Sequence, residues 1–248
     1  MFRSVLTLLL GGLIFFVAAG VSLPLLILLL PSRKWRVMAC NAWGKVVGPA
    51  ILRIAGWDVE VQGAEHLDAA RPAIYASNHT SNIDIFLAIW LAPFGAVGVA
   101  KREVAFVPVF GQMYLLSGHL LIDRGRHARA VAAMDRLVAA VRRHRLSIWI
   151  WPEGTRSPDG RLKPLKRGLY HLGAQTGLPV VPIVVQGAHR LWPKKGWLLR
   201  RGRVRVRVLP PVSTEAWPEM EAEAGLSEVH RAMLRALPAD QRPPDELR

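Results

Sequence analysis

Between Val5 and Leu30 the chain runs for 26 residues without a charged side chain. Coiled as an α-helix, that stretch is about 39 Å long at 1.5 Å per residue. It exceeds the roughly 30 Å hydrocarbon core of a bilayer, so the remainder must either bury it or seat it in a membrane. A cleaved signal peptide fits poorly. The run is longer than an apolar signal region of about 7–15 residues, and no small-x-small site precedes the basic flank. Gly20 and Pro24 are positions where such a helix is expected to kink or end. Arg33, Lys34 and Arg36 follow at once, against Arg3 alone in front. That asymmetry of positive charge places the body in the cytoplasm, on the cytoplasmic face of the inner membrane.

Residues 35–56 are mostly apolar, with Trp35, Trp43 and sparse Arg and Lys. They read as a second helix lying in the interface, the competing reading being an ordinary core helix. From Gly56 the periodicity changes. Short β-type runs are expected at Trp57–Gln62, Ala73–Ser77, Ala96–Ala100, His119–Asp123, Ser147–Trp151 and Val180–Gln186. Helices are expected at Ser81–Leu91, Val107–Leu116, Arg126–Arg145 and Gly168–Gly177. The third of these carries Val131, Met134, Val138 and Val141 at helical spacing. Such alternation argues an α/β fold, a largely parallel central sheet flanked by helices, preceded by an N-terminal two-helix membrane-anchoring motif. Arg203–Leu209 alternates Val with Arg, a half-buried strand with a cationic outer face. The expected division is residues 1–56 as the membrane motif, 57–212 as the α/β domain and 213–248 as a peripheral helical tail.

Formal net charge is +15, and it is unevenly distributed. Residues 33–212 hold 28 Lys and Arg against 10 Asp and Glu. An excess of this kind calls for an anionic partner: nucleic acid, an anionic bilayer or a phosphate-bearing substrate. Its position directly behind an uncharged anchor favours the bilayer, with Arg203, Arg205 and Arg207 holding the domain against anionic lipid. The single cysteine, Cys40, excludes an internal disulfide and a Cys-x-x-Cys metal site. There is no Gly-x-Ser-x-Gly elbow, no His-Glu-x-x-His and no phosphate-binding P-loop.

Four blocks carry chemistry. Asn78-His79-Thr80-Ser81-Asn82-Ile83-Asp84 follows one expected strand and opens a helix. A carboxylate at Asp84 can reach back to an imidazole in the turn, the pair needed to make a hydroxyl nucleophilic. Ser81-x-x-Asp84 also matches a capping box, in which Asp84 merely caps the helix. Trp151-Pro152-Glu153-Gly154-Thr155-Arg156-Ser157 follows another strand and offers backbone donors, a hydroxyl and a guanidinium suited to phosphate, and reads equally as a polar surface turn with a solvated Arg. Lys101, Pro108-Val109-Phe110-Gly111 and Ile122-Asp123-Arg124 form the third block. Here too, Asp123–Arg124 reads equally as a local ion pair. The fourth is Val181-Pro182-Ile183, where a proline inside an apolar strand suggests an edge, a bulge or a ligand-lining bend, although taken alone the run reads as a core strand.

In this order, the four blocks resemble the glycerolipid acyltransferase family, and within it the enzymes acting on lysophosphatidic acid. Lys163, Lys166-Arg167-Gly168 and the strand before Pro210-Pro211 extend the likeness. Trp151, where the family has Phe, and Leu165, where an aromatic is common, depart from it and are expected to touch no catalytic group. Residues 190–201, rich in Trp, Lys and Arg, gain no reading from the resemblance. The resemblance implies His79 as general base and Asp84 as its orienter. Substrate binding falls to Lys101, Arg124, Glu153, Gly154, Thr155 and Arg156. A fatty acyl chain would pass from acyl-CoA or acyl-carrier protein to the sn-2 hydroxyl of 1-acyl-glycerol 3-phosphate, giving phosphatidic acid, with no cofactor and no metal. The implied partners are lysophosphatidic acid, the acyl donor and an anionic membrane surface, with no nucleic acid. Another acceptor (a different lysophospholipid, a lyso-aminolipid or glycerol 3-phosphate) remains an alternative. So do an inactive membrane scaffold and a basic nucleic-acid-binding membrane protein.

Overall fold

A computed structural model describes residues 1–122 and 127–244. The uncharged run forms one helix, α1 (Phe2–Leu28), unbroken through Gly20 and Pro24. Its inward face is small and polar, with Ser4, Thr7, Ala19, Ser22 and Leu26 buried. Leu9, Leu13, Phe16, Val17 and Val21 point outward and are exposed. Its first turn is tied to the body. Arg3 donates to the carbonyls of Ala55 and Leu199, and the Ser4 hydroxyl accepts from the Leu199 N–H. Beyond the other end, Ser32 caps α2 (Arg33–Ile54) by accepting from the Trp35 N–H.

The basic flank behind α1 is built into the fold. Arg33 donates to the Gly118 carbonyl and Arg36 to that of Leu116. These are the free carbonyls at the end of a helix, where a cation is favoured. One face of α2 is buried through Val37, Asn41, Gly44, Val47, Gly48 and Ile51, while Trp35 and Val46 on the other are exposed. So α2 is a core helix on one face and an apolar exposed surface on the other. A Cβ at Gly44 would sit 2.2 Å from the Ile89 carbonyl oxygen. The glycine therefore sets how closely α2 approaches α4 (Ile83–Leu91).

The remaining elements alternate. They are β1 (Trp57–Gln62), α3 (Glu65–Ala69), β2 (Ile74–Ser77), α4, β3 (Ala96–Lys101), α5 (Phe110–Leu116), β4 (Leu120–Ile122), α6 (His127–His144), β5 (Ser147–Ile150), α7 (Arg167–Thr176), β6 (Val180–Gln186), α8 (Ala188–Leu191), β7 (Gly202–Val208) and α9 (Ala222–Ala236). The sheet order is β1-β7-β6-β2-β5-β3-β4, and only the β6–β7 pairing is antiparallel. Alternation along each strand feeds two cores. Ile74, Ala76, Ile148, Ile150 and Val184 pack with α6, α7 and α9; Tyr75, Trp149, Val181 and Ile183 pack with α4.

One open reading is decided and two expectations change. Pro182 lies in an interior strand, as the core-strand reading has it, and not at an edge. Its carbonyl accepts from the Leu209 N–H, so its missing donor falls on the β7 side, where the chain leaves the ladder through Pro210-Pro211. The Arg stripe of β7 is not free for lipid. Arg203 meets Asp58, Arg205 meets Glu60, and Arg207 donates to the Ala236 carbonyl. Residues 213–248 are not peripheral over their described part. Trp217, Val229, Met233 and Leu237 complete the core under α7, and buried Gln241 bridges the Gly160 carbonyl and the Gly187 N–H.

Candidate active site

The carboxyl ends of β2 and β5 are neighbours in the sheet, so the turns that follow them meet. Asp84, 1% exposed, sits in the first turn of α4 and turns back. Its Oδ2 accepts from the backbone N–H of Thr80 (2.7 Å) and Ser81 (2.9 Å), and from His79 Nδ1 (2.8 Å). The capping geometry and the His–Asp pair therefore coexist on one oxygen. Because a carboxylate only accepts, the hydrogen-bond network assigns the His79 proton to Nδ1, leaving Nε2 as the basic nitrogen.

The backbone of His79 is clamped from the next turn. Its N–H donates to Glu153 Oε1 (2.6 Å) and its carbonyl accepts from the Ser157 N–H (2.8 Å). Glu153 Oε2 accepts from the Lys163 N–H (3.0 Å). Both oxygens of this buried carboxyl thus hold backbone, and the side chain is not on the cavity wall. Burial pushes its pKa up to about 7, against the lowering effect of these backbone hydrogen bonds. Arg156 donates to the Asn82 side-chain oxygen, which ties the two turns again. Trp151, expected to touch no catalytic group, stacks on the His79 imidazole with ring centroids 4.5 Å apart and planes at 19°.

A cavity of 440 Å³ opens at His79, a size typical of small-ligand pockets at about 300–1,000 Å³. Its polar lining includes Lys101, Gly154, Thr155, Arg156 and Lys194. The apolar lining comes from α1, α2, α4, β3 and α5, with Phe15, Leu26, Trp43, Val47, Ile89 and Met113. Phe15 of α1 packs on Phe110 of α5 at 5.7 Å, so the first helix is a wall of this cavity. Gly111 follows because a Cβ there would meet the Ala105 carbonyl oxygen at 2.3 Å.

A second polar group on the wall escaped the sequence reading. Half-buried His119 accepts the Gly98 N–H at Nδ1 (3.0 Å), leaving Nε2–H facing Cys40 Sγ at 3.4 Å. Burial drives its pKa down to about 4, so it is neutral near pH 7. Asn78 is structural as placed: its amide bridges the Val185 N–H and carbonyl on β6. Arg124 and Asp123 lie outside the described residues, and no group of His, Cys, Asp and Glu suited to a metal occurs among the described ones.

Residues 58–186 match the family model described as Acyltransferase, and this span covers the His79, Lys101 and Glu153–Arg156 blocks. The chain belongs to the acyltransferase family. It is 41% identical over 219 residues to a 1-acyl-sn-glycerol-3-phosphate acyltransferase of Limnanthes alba, covering 88% of this chain and 77% of that one. The human 1-acyl-sn-glycerol-3-phosphate acyltransferase alpha is 35% identical over 179 residues, covering 72% and 63%. Among solved structures, the 1-acyl-sn-glycerophosphate (LPA) acyltransferase PlsC from Thermotoga maritima superposes with a TM-score of 0.74 at 25% identity, covering 94% of this chain and 95% of that one. The acyltransferase is thus similar to that protein over nearly its whole length.

Proposed function

We propose that this acyltransferase moves a fatty acyl chain from acyl-CoA or acyl-carrier protein to the sn-2 hydroxyl of 1-acyl-glycerol 3-phosphate, forming phosphatidic acid. The observation that carries the reading is the placement of the His79–Asp84 pair at the mouth of an apolar cavity that Gly154, Thr155, Arg156 and Lys101 also line. An imidazole base, a phosphate-binding edge and a greasy chamber are what the two substrates require.

His79 Nε2 takes the proton of the acceptor hydroxyl as its oxygen attacks the thioester carbon. Asp84 holds the tautomer and stabilises the imidazolium. The tetrahedral intermediate collapses, the carbon–sulfur bond breaks, and the imidazolium returns its proton to the departing thiolate. Arg156, Thr155 and Lys101 hold the acceptor phosphate by charge-assisted hydrogen bonds. Glu153 acts through His79: it braces the backbone that carries the base.

The chain is seated on a membrane by the outward face of α1. Arg3 in the first turn of α1 and Arg33 just past its end both bond to the same domain, so the helix lies in one leaflet rather than crossing. The cytoplasmic leaflet, with its anionic surface, suits the basic excess of the body.

The test is thiol release from acyl-CoA in the presence of a panel of acceptors. Lysophosphatidic acid is expected to be the best of them, and His79→Ala is expected to abolish release while the variant still sediments with membranes. Release by His79→Ala near the wild-type rate, or a preference for a phosphate-free acceptor, would overturn the reading.

A further inference from the structure

Residues 190–201 lie beyond the matched family span. They nevertheless form a built loop at the site. Trp192, which follows α8, stacks on Trp57 (5.7 Å) and Phe86 (6.3 Å). Its indole N–H donates to the Gly196 carbonyl (2.9 Å), and the Gly196 N–H donates to Pro193 (3.0 Å), closing a tight turn over Lys194 and Lys195. The Trp192 carbonyl accepts from the Ser81 hydroxyl (2.7 Å), so this turn is pinned to the segment that carries His79 and Asp84. On its other side, Leu199 is held by Arg3 and Ser4 of α1. Trp197, 84% exposed, and Leu198 stand out between these ties, next in the chain to the residue that docks the lipid-facing helix.

The turn aims one cation inward. Lys194 lines the cavity together with His79, Lys101, Thr155 and Arg156, and its Nζ donates to Thr155 Oγ1 at 3.3 Å. Lys195 points away, exposed and off the cavity wall. Among the described residues no carboxylate pairs with Lys194. The two carboxyls close to this edge are both engaged, Glu153 by backbone and Asp84 by His79 and the Thr80 and Ser81 N–H groups. Three cationic side chains therefore line a mouth whose nearby carboxyls are already engaged, an arrangement that repels itself until an anion arrives. A phosphate monoester, carrying close to two negative charges near pH 7, fits it better than a singly charged diester.

We propose that Lys194 is a phosphate ligand for the acceptor, delivered by a loop whose Trp197–Leu198 tip rests in the bilayer interface, and that it biases the enzyme toward monoester lysolipids. This rests on the acyl-transfer reading above. Both substrates bring phosphate, since acyl-CoA carries its own. Lys194 is assigned to the acceptor because it shares Thr155 with the Gly-Thr-Arg turn.

The test uses the full chain in mixed micelles, following thiol release while lysophosphatidic acid and acyl-CoA are varied separately. Lys194→Ala and Lys194→Gln are expected to raise the acceptor KM about tenfold to a hundredfold, the loss of one charged hydrogen bond. Under the same change kcat moves by no more than about threefold and the acyl-CoA KM stays put. Lys194→Arg should keep most of the acceptor affinity, and Lys195→Ala should behave as wild type. An unchanged acceptor KM, a rise in the acyl-CoA KM instead, or an equal loss in Lys195→Ala would each overturn the assignment while the acyl-transfer reading stands. No thiol release by the wild type with lysophosphatidic acid would overturn both.

Discussion

The imidazole of His79 lies flat against the indole of Trp151, 4.5 Å between ring centroids. The base is thus fixed in two directions. Asp84 holds Nδ1 within the ring plane, and the indole covers one ring face. An indole face also attracts a cation, so it favours the imidazolium that forms as the proton transfers. A smaller ring at this position supports less of the face. Trp151→Ala should lower kcat by about tenfold to a hundredfold with both KM values near wild type, since the loss falls on the transition state. Trp151→Phe should fall between. A rise in KM at constant kcat would show that the indole serves binding instead.

Asp84 Oδ2 serves fold and chemistry at once, because the three N–H groups it accepts include two from backbone. Asp84→Asn keeps an acceptor but loses the charge that steadies the imidazolium. Its kcat should fall by about a hundredfold or more. Asp84→Ala should add a stability loss on the order of 1–3 kcal/mol, from buried donors left without a partner. Kinetics and thermal melts of the two variants separate these effects. Equal melting temperatures would show that the start of α4 does not depend on Asp84.

How much of this was legible beforehand follows from distance along the chain. The His79–Asp84 pair is local, five residues in one turn, and the motif announced it. The strand-end positions of Lys101 and Thr155–Arg156 followed from α/β alternation. What could not be read depended on contacts between distant residues. Alternation marked the Arg face of β7, but only the parallel pairing with β1 reveals Asp58 and Glu60 opposite it. Nothing in residues 190–201 signals that Trp192 packs on Trp57 and Phe86 and so aims Lys194 at Thr155. Polar spacing in the tail concealed that Val229 and Met233 fill the core.

Two groups with opposite shifts, buried Glu153 and half-buried His119, should shape the pH dependence of stability. The Glu153 carboxyl is raised by burial to about 7. Its contribution is full below its unfolded value near 4.5 and is lost as pH rises through 7. His119 is lowered by burial to about 4, so its contribution is full above 6.5 and is lost as pH falls through 4. The two slopes oppose each other where they overlap. Glu153→Gln removes one of them. The stability of wild type relative to Glu153→Gln should fall between pH 4.5 and 7, by on the order of 3 kcal/mol. Melting curves in detergent at stepped pH provide the check. Parallel curves for the two proteins would show that the Glu153 carboxyl does not titrate in that window.

The two faces of α1 can be separated experimentally. Leu13 and Val17 face outward and are exposed, whereas Phe15, Ser22 and Leu26 line the cavity. A charge placed in hydrocarbon costs about 2.5–3.5 kcal/mol per residue on insertion scales. Leu13→Lys combined with Val17→Lys should therefore move the protein from the membrane fraction toward the soluble one. In detergent micelles it should keep acyl transfer within about threefold of wild type, because the cavity wall is intact. Deleting residues 1–32 removes the wall along with the anchor, so that variant should lose activity even in micelles. If the deletion stays active in micelles, α1 is an anchor and nothing more. If the double lysine variant remains fully membrane-bound, the exposed apolar face of α2, with Trp35 and Val46, holds the enzyme without help from α1.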